Sequence, residues 1–431
     1  MPQLMDDVEG DAGSTEADGL LNGNGNGHHA SYGGAQERPR KPRRRSHTFC
    51  SYLYHKLRIV LTSNYVNVFL VFVPLGILAG ELGWPSTAIF VLNFLAIIPL
   101  AALLSFATEE LSLEVGETLG GLMNATFGNA VELIVSVVAL TKGEIRIVQA
   151  SMLGSILSNI LLVLGMCFFF GGLKYHEQTF NSTVASTMSS LMAVATSSLI
   201  IPAALYATMA KTEKPDFDQI LLLSRGTSIV ILILYVMYLV FQLKTHTDLF
   251  VGTNDLDENG EPVTPEPALL TPWEAGIVLV LVTVLVAICA EYLVGSIEGI
   301  VKTSGISKTF IGLILIPIVG NAAEHVTAIV VAMKDKMDLA IGVAIGSSMQ
   351  IALLVTPFLV ILGWIIGQPM SLYFQTFETV VFFVSTYLTY YVVQDGKSNY
   401  LEGAMLLGIY TIIALSFYVY PDNGGDPGTP S

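Results

Sequence analysis

From Tyr65 to Tyr420 the chain runs as a succession of apolar stretches separated by short polar or Gly/Pro-containing segments. Each stretch is roughly 17–25 residues long, which at 1.5 Å of rise per residue crosses a bilayer core. Eleven helices are predicted, at 65–82, 85–106, 119–141, 146–170, 183–206, 219–243, 273–297, 309–333, 338–364, 371–393 and 400–420. A Pro-rich, acidic linker, residues 244–272, separates the sixth from the seventh. Backbone groups in lipid must bond within their own segment, so the expected fold class is an all-α polytopic membrane protein.

Composition agrees. A chain of 431 residues could hold two or three soluble domains, but this one is 52% hydrophobic and 13% charged, against roughly 25% charged in a soluble domain. Cys50, Cys167 and Cys289 are scattered without CxxC spacing, which suggests neither a disulfide framework nor a zinc site. The net charge of −15 comes largely from loops and tails and implies no nucleic-acid partner. Residues 1–64 are expected to be a disordered cytosolic tail, polar and Gly-rich at its start, with no cleavable apolar signal. Its basic run "RPRKPRRRS" (Arg38 to Ser46) favours the cytosolic side and an anionic lipid surface. Later loop charges do not discriminate: Lys174, Lys244, Lys334, Lys336 and Lys397 fall on that side, and Lys142, Arg146, Lys211, Lys214, Lys302 and Lys308 on the other.

The polar residues inside the apolar stretches repeat. A shift of 192 positions lays "GNAVELIVSVVAL" (128–140) on "GNAAEHVTAIVVA" (320–332), so that Gly128 falls on Gly320, Asn129 on Asn321 and Glu132 on Glu324. Farther on, Gly154-Ser155 falls on Gly346-Ser347. The domain plan is therefore a first span (65–84), a five-helix repeat (85–243), the linker (244–272), a second five-helix repeat (273–420) and a C-terminal tail (421–431). Five is odd, so a linker confined to one side inverts the second repeat, the arrangement of secondary transporters with a site near the midplane.

Thr126, Asn129, Glu132 and Ser136 share one helix face, and Asn321, Glu324 and Thr327 share another, with His325 one position around. A carboxylate at the bilayer centre costs at least ~2.5 kcal/mol, so each acid should face protein, water or an ion. Gly128 and Gly320 permit local unwinding, and Pro317 removes a backbone donor in the second copy. Gly154-Ser155 with Ser158 and Asn159, and Gly346-Ser347 with Gln350, add small, hydroxyl and amide groups. Two carboxylates among neutral oxygens, with no thiolate, suit a hard cation such as Ca²⁺. Helix packing by Gly and Ser rows, with each Glu protonated and bonded to its Asn, is the structural alternative. His325 is either a titrating group or a partner of Glu324. Glu109 and Glu291 occupy comparable places in the two halves and are candidates for lining the ion path.

On "LSFATEE" leading into "TLGGLMNATFGNAVELI", on "GNAVELIVS", "GNAAEHVTAI" and "GSSMQIALLV", the sequence resembles the cation/proton exchanger family, in particular its vacuolar calcium/proton exchangers. The resemblance covers nearly all of 65–420. It implies one N-terminal span plus two inverted five-helix repeats and a central site with one glutamate from each, here Glu132 and Glu324. Asn129, Asn321, Ser158 and Gln350 match its supporting positions. It also implies Ca²⁺/H⁺ antiport in a vacuolar membrane, with Ca²⁺ and H⁺ as transported substrates, the lipid bilayer as surroundings and no cofactor. One departure is the linker, where Asp255, Asp257, Glu258, Glu261 and Glu266 are sparser than the acidic stretch many such exchangers carry. Mn²⁺/H⁺ or Na⁺-driven exchange is the nearest rival. An intramembrane hydrolase lacks HExxH and GxSG here, and a non-transporting scaffold leaves the paired acids unexplained. Nothing in the chain points to an oligomeric state.

Overall fold

The computed structural model describes residues 49–115, 117–209, 217–247 and 268–420. The basic cluster, Lys211, Lys214, most of the linker and the C-terminal tail lie outside the described residues. The protein is helical. α1 (Phe49–Thr62), a tight turn with α2 (Phe72–Glu81), α3 (Ser86–Val115), α4 (Glu117–Phe127) and α5 (Ala130–Thr141) open the chain. α6 (Ile145–Lys174), α7 (Ser182–Met209) and α8 (Phe217–Thr245) complete the first half. α9 (Pro272–Ser304), α10 (Lys308–Gly320), α11 (Ala322–Ala332), α12 (Met337–Ile366), α13 (Thr376–Val393) and α14 (Tyr400–Val419) form the second.

Eight of these helices are long and apolar enough to cross a membrane singly. Two further candidates are bent pairs: Ser51–Thr62 with Tyr65–Glu81, turning by 106°, and α10 with α11, turning by 55°. The predicted 119–141 segment is α4 followed by the short apolar α5. Among the described residues the only sheet is a tie between loops, β1 (Gln178–Thr179) antiparallel to β2 (Lys397–Ser398).

Helix α1 occupies the last part of the 1–64 segment, ahead of the first predicted span. Lys56 Nζ sits 3.1 Å from a Glu274 carboxylate oxygen and donates to the Leu269 carbonyl, and the Tyr52 hydroxyl donates to Glu274. Asn67 donates to the carbonyls of Val60 and Leu61, closing the end of the helix. His55, Lys56 and Arg58 break the apolar run, so hydropathy alone misses a helix held by polar contacts.

The end of α3 and the start of α9 meet where Glu110 accepts from the Leu270 amide at 2.7 Å; this face of the bundle is termed proximal. The α6 and α10 starts mark the distal face, where Lys308 pairs with Glu144 at 3.1 Å and Glu298 at 3.6 Å. Lys142 pairs with Glu291 at 3.7 Å and donates to its carbonyl. Deeper on that face, the Arg146 guanidinium grips both oxygens of Glu378, one at 2.9 Å, and also meets Thr309. Glu378 is fully buried and also accepts from the Gln375 amide, so one carboxylate caps α13 and ties it to α6.

Candidate cation site

The first half breaks at Gly128 and Asn129, between α4 and α5, and the second at Asn321, between α10 and α11. Asn129 (φ −104°, ψ 29°) and Asn321 (φ −86°, ψ 6°) lie near the bridge region of backbone space, where a helix can stop and restart. In the second half Pro317 removes the amide that would ordinarily bond the Leu313 carbonyl. That carbonyl instead presses on Gly154 of α6, where a Cβ would stand 2.1 Å from it, so only glycine admits the crossing. At Gly346, by contrast, a Cβ would meet only the flexible end of Met188 at 3.4 Å.

Each break starts a new helix with its acid in the first turn, Glu132 on α5 and Glu324 on α11. The free amides there make the helix start a favourable place for negative charge. The two breaks lie back to back. A Cβ on Gly320 would stand 3.1 Å from a Glu132 carboxylate oxygen, and one on Gly128 about 4.0 Å from the Gln350 side-chain oxygen. Glu132 therefore abuts the second break four residues before Glu324 in sequence. Glu132 is buried, and Glu324 lines a cavity between the helices.

Around them runs a polar network. Asn129 donates to Gln350 at 2.7 Å and accepts from Ser347 at 2.6 Å. Ser347 Oγ accepts from Asn159 at 3.0 Å and stands 3.1 Å from both oxygens of Glu324. A hydroxyl has one proton, so Ser347 cannot donate to Asn129 and Glu324 together. Whichever of the two receives that proton, the other goes without it. Asn321 donates to the Ser155 carbonyl at 3.3 Å, leaving its own side-chain oxygen buried and unpartnered, as is that of Asn159. Such oxygens are ready ligands for a hard cation. No group of three or more His, Cys, Asp or Glu suited to a metal occurs among the described residues, so neutral oxygens would have to complete any cation shell.

The sequence-selected residues divide accordingly. Glu132, Glu324, Asn129, Asn321 and Gln350 come together. Ser158 is turned to His325, 3.3 Å from its Nε2, so these two pair with each other beside the centre. Glu109 lines the same cavity as Glu324, whereas Glu291 stands on the distal face paired with Lys142. Ser347 and Asn159 prove more central than Ser158. The signal was present, since Ser347 falls on Ser155 under the 192-residue shift.

Access to the two acids differs. A cavity of about 250 Å³ reaches from Glu109 and Thr108 past Asn124 and Thr327 to Glu324. Glu132 is only 6% exposed and borders a separate space of about 20 Å³ with Ser136 and Gly320, room for about one water. Wide helical turns follow the site in both halves, at Ser158–Val163 and Ile351–Val355, a distortion common beside functional centres.

A helical membrane protein whose paired acids sit at facing helix breaks is the class this geometry defines. The profile of the family described as "Sodium/calcium exchanger protein" matches residues 85–244 and 275–419. The chain is 53% identical over 362 residues to a vacuolar calcium ion transporter of Schizosaccharomyces pombe, covering 84% of this chain and 86% of that one. It is 46% identical over 361 residues to a Ca(2+)/H(+) antiporter of Aphanothece halophytica, covering 82% and 95%. Among solved structures, the Ca²⁺/H⁺ antiporter protein YfkE superposes with a TM-score of 0.68 at 38% identity, covering 82% of this chain and 99% of that one. The chain belongs to the sodium/calcium exchanger family.

Proposed function

We propose that this protein is a secondary antiporter that exchanges cytosolic Ca²⁺ for lumenal protons across the membrane of an acidic organelle, the vacuole. In this reading eleven spans cross the bilayer, one followed by two inverted five-helix repeats. The N-terminus is cytosolic and the proximal face looks to the cytosol. Glu132 and Glu324 bind the cation, with Asn129, Asn321, Gln350 and Ser347 supplying neutral oxygens. No cofactor takes part.

The coupling follows from charge. With both glutamates ionised the site carries two negative charges in a low-dielectric interior, which is costly. Ca²⁺ cancels them, and so do two protons. If only neutral, occupied forms interconvert between cytosolic and lumenal access, every cation moved must be traded for protons. An acidic lumen then protonates the pair, releases Ca²⁺ there and drives accumulation. The open route from Glu109 to Glu324, with Glu132 closed off behind, fits a form that admits Ca²⁺ from the cytosol.

The observation that carries this reading is the meeting of Glu132 with Gly320 and of Asn129 with Ser347 and Gln350, which merges two sequence copies into one centre. Glu132→Gln and Glu324→Gln should each abolish Ca²⁺ uptake driven by a pH gradient in vesicles while the protein still inserts. Near-normal uptake by either would falsify the assignment. Running the assay with Mn²⁺, and with a Na⁺ gradient in place of the pH gradient, separates the nearest rivals.

A further inference from the structure

Arg225 lies in the apolar part of α8, eight residues past Phe217 and so about 12 Å along the helix axis. One turn away on either side, Leu222 and Ile229 are 71% and 45% exposed while Leu221 and Ser228 are buried, so half-buried Arg225 stands at the edge of an outward face that continues to Val230, 57% exposed. In a bundle surrounded by lipid that face is the one acyl chains touch. A guanidinium there is expensive unless its charge is met.

Within the protein it is met only in part. The ring of Trp364, near the end of α12, lies 5.0 Å from the guanidinium carbon. Among the described residues no carboxylate forms an ion pair with Arg225. Trp364 is half exposed, and Ile365 beside it is 75% exposed. Trp collects at headgroup level in membrane proteins, where its ring is apolar and its N–H is wet. A long cationic side chain next to it reaches toward the same level. The guanidinium carbon sits over the ring, and a guanidinium so placed can still offer its planar N–H fork, which matches two phosphate oxygens.

We propose that Arg225 and Trp364 form a site for the phosphate of a bilayer lipid in the leaflet on the distal face. The chemistry recognised is a phosphate monoanion or diester. The apolar surroundings assign it to a lipid headgroup, whose acyl chains would lie along Leu222, Ile229 and Val230. The site is separate from the glutamate pair and independent of which ions are exchanged.

The test uses the full chain, purified in mild detergent and stripped of lipid. Thermal unfolding is followed with added phosphatidylcholine, with diacylglycerol of the same chains, or with inorganic phosphate. Phosphatidylcholine should raise the melting temperature by several degrees in the wild type and not in Arg225→Gln, while diacylglycerol and inorganic phosphate should have little effect. An equal rise with diacylglycerol, or in Arg225→Gln, overturns the site. An equal rise with inorganic phosphate overturns the lipid assignment. If Arg225→Gln does not accumulate, Arg225→Lys decides: it keeps the charge and loses the planar fork, so lipid titration should show affinity about tenfold weaker. Unchanged affinity there overturns the proposal.

Discussion

Glu132 and Glu324 share a sequence context and meet different surroundings. Glu132 is packed against the bare backbone of Gly320, while Glu324 faces a cavity and the hydroxyl of Ser347. Two substitutions follow from this contrast. Gly320→Ala would put a methyl 3.1 Å from the Glu132 carboxylate, tighter than ordinary contact, so the acid must shift by a few tenths of an ångström. Its Ca²⁺ concentration for half-maximal uptake should rise by about tenfold, equivalent to about 1.4 kcal/mol, with expression unchanged. Ser347→Ala removes the hydroxyl that bridges Asn129 to Glu324 and should weaken uptake similarly, whereas Ser158→Ala, which loses the His325 contact beside the centre, should matter less. Concentration curves for the three variants in one vesicle preparation check the order; equal effects of the two serine changes would remove Ser347 from the centre.

At the level of elements, apolar length predicts the long helices well, because burial in lipid rewards the run itself whatever packs beside it. The two breaks were legible for another reason. Gly-Asn inside an apolar run is a poor helix interior, and its recurrence at a fixed shift marks it as purposeful. What the chain hid were contacts that join distant segments. The Arg146–Glu378 pair is one example, since Arg146 reads as a loop charge and nothing in the sequence singles out Glu378. Another is α1, whose hold on Glu274 lies more than two hundred residues away in sequence. The orientation of Ser158 toward His325 was likewise invisible, because a helical face places a residue without choosing its rotamer. Glu378→Gln takes the charge from the carboxylate that Arg146 and the Gln375 amide both bond and should cost about 3–5 kcal/mol of stability. A lower melting temperature in detergent is the expected result, and joint replacement by Met at positions 146 and 378 should recover most of it. Failure of the double variant to recover would mean that the pair is needed for more than charge balance.

For the molecule as a whole, the unequal access to the two acids makes a statement about which side is open. A cysteine introduced at Thr327, on the wall of the larger cavity, should react with a membrane-impermeant thiol reagent applied from the cytosolic side. Saturating Ca²⁺ should slow the reaction. One introduced at Ser136, beside Glu132, should not react from that side. Of the native cysteines, Cys167 and Cys289 are buried and give little background. Labelling at position 136 in preference to 327 would reverse the assigned direction of opening.

The distal face holds α9 to its neighbours through Lys142–Glu291 and Lys308–Glu298, pairs whose acids are 66% and 61% exposed. Bonds so wet are shielded by dissolved electrolyte, whose Debye length is about 8 Å at 0.15 M and about 3 Å at 1 M. If α9 must part from these neighbours for the pathway to open toward the lumen, turnover becomes tunable by ionic strength there. Loading vesicles with concentrated inert salt should quicken exchange, whereas the same salt outside should not.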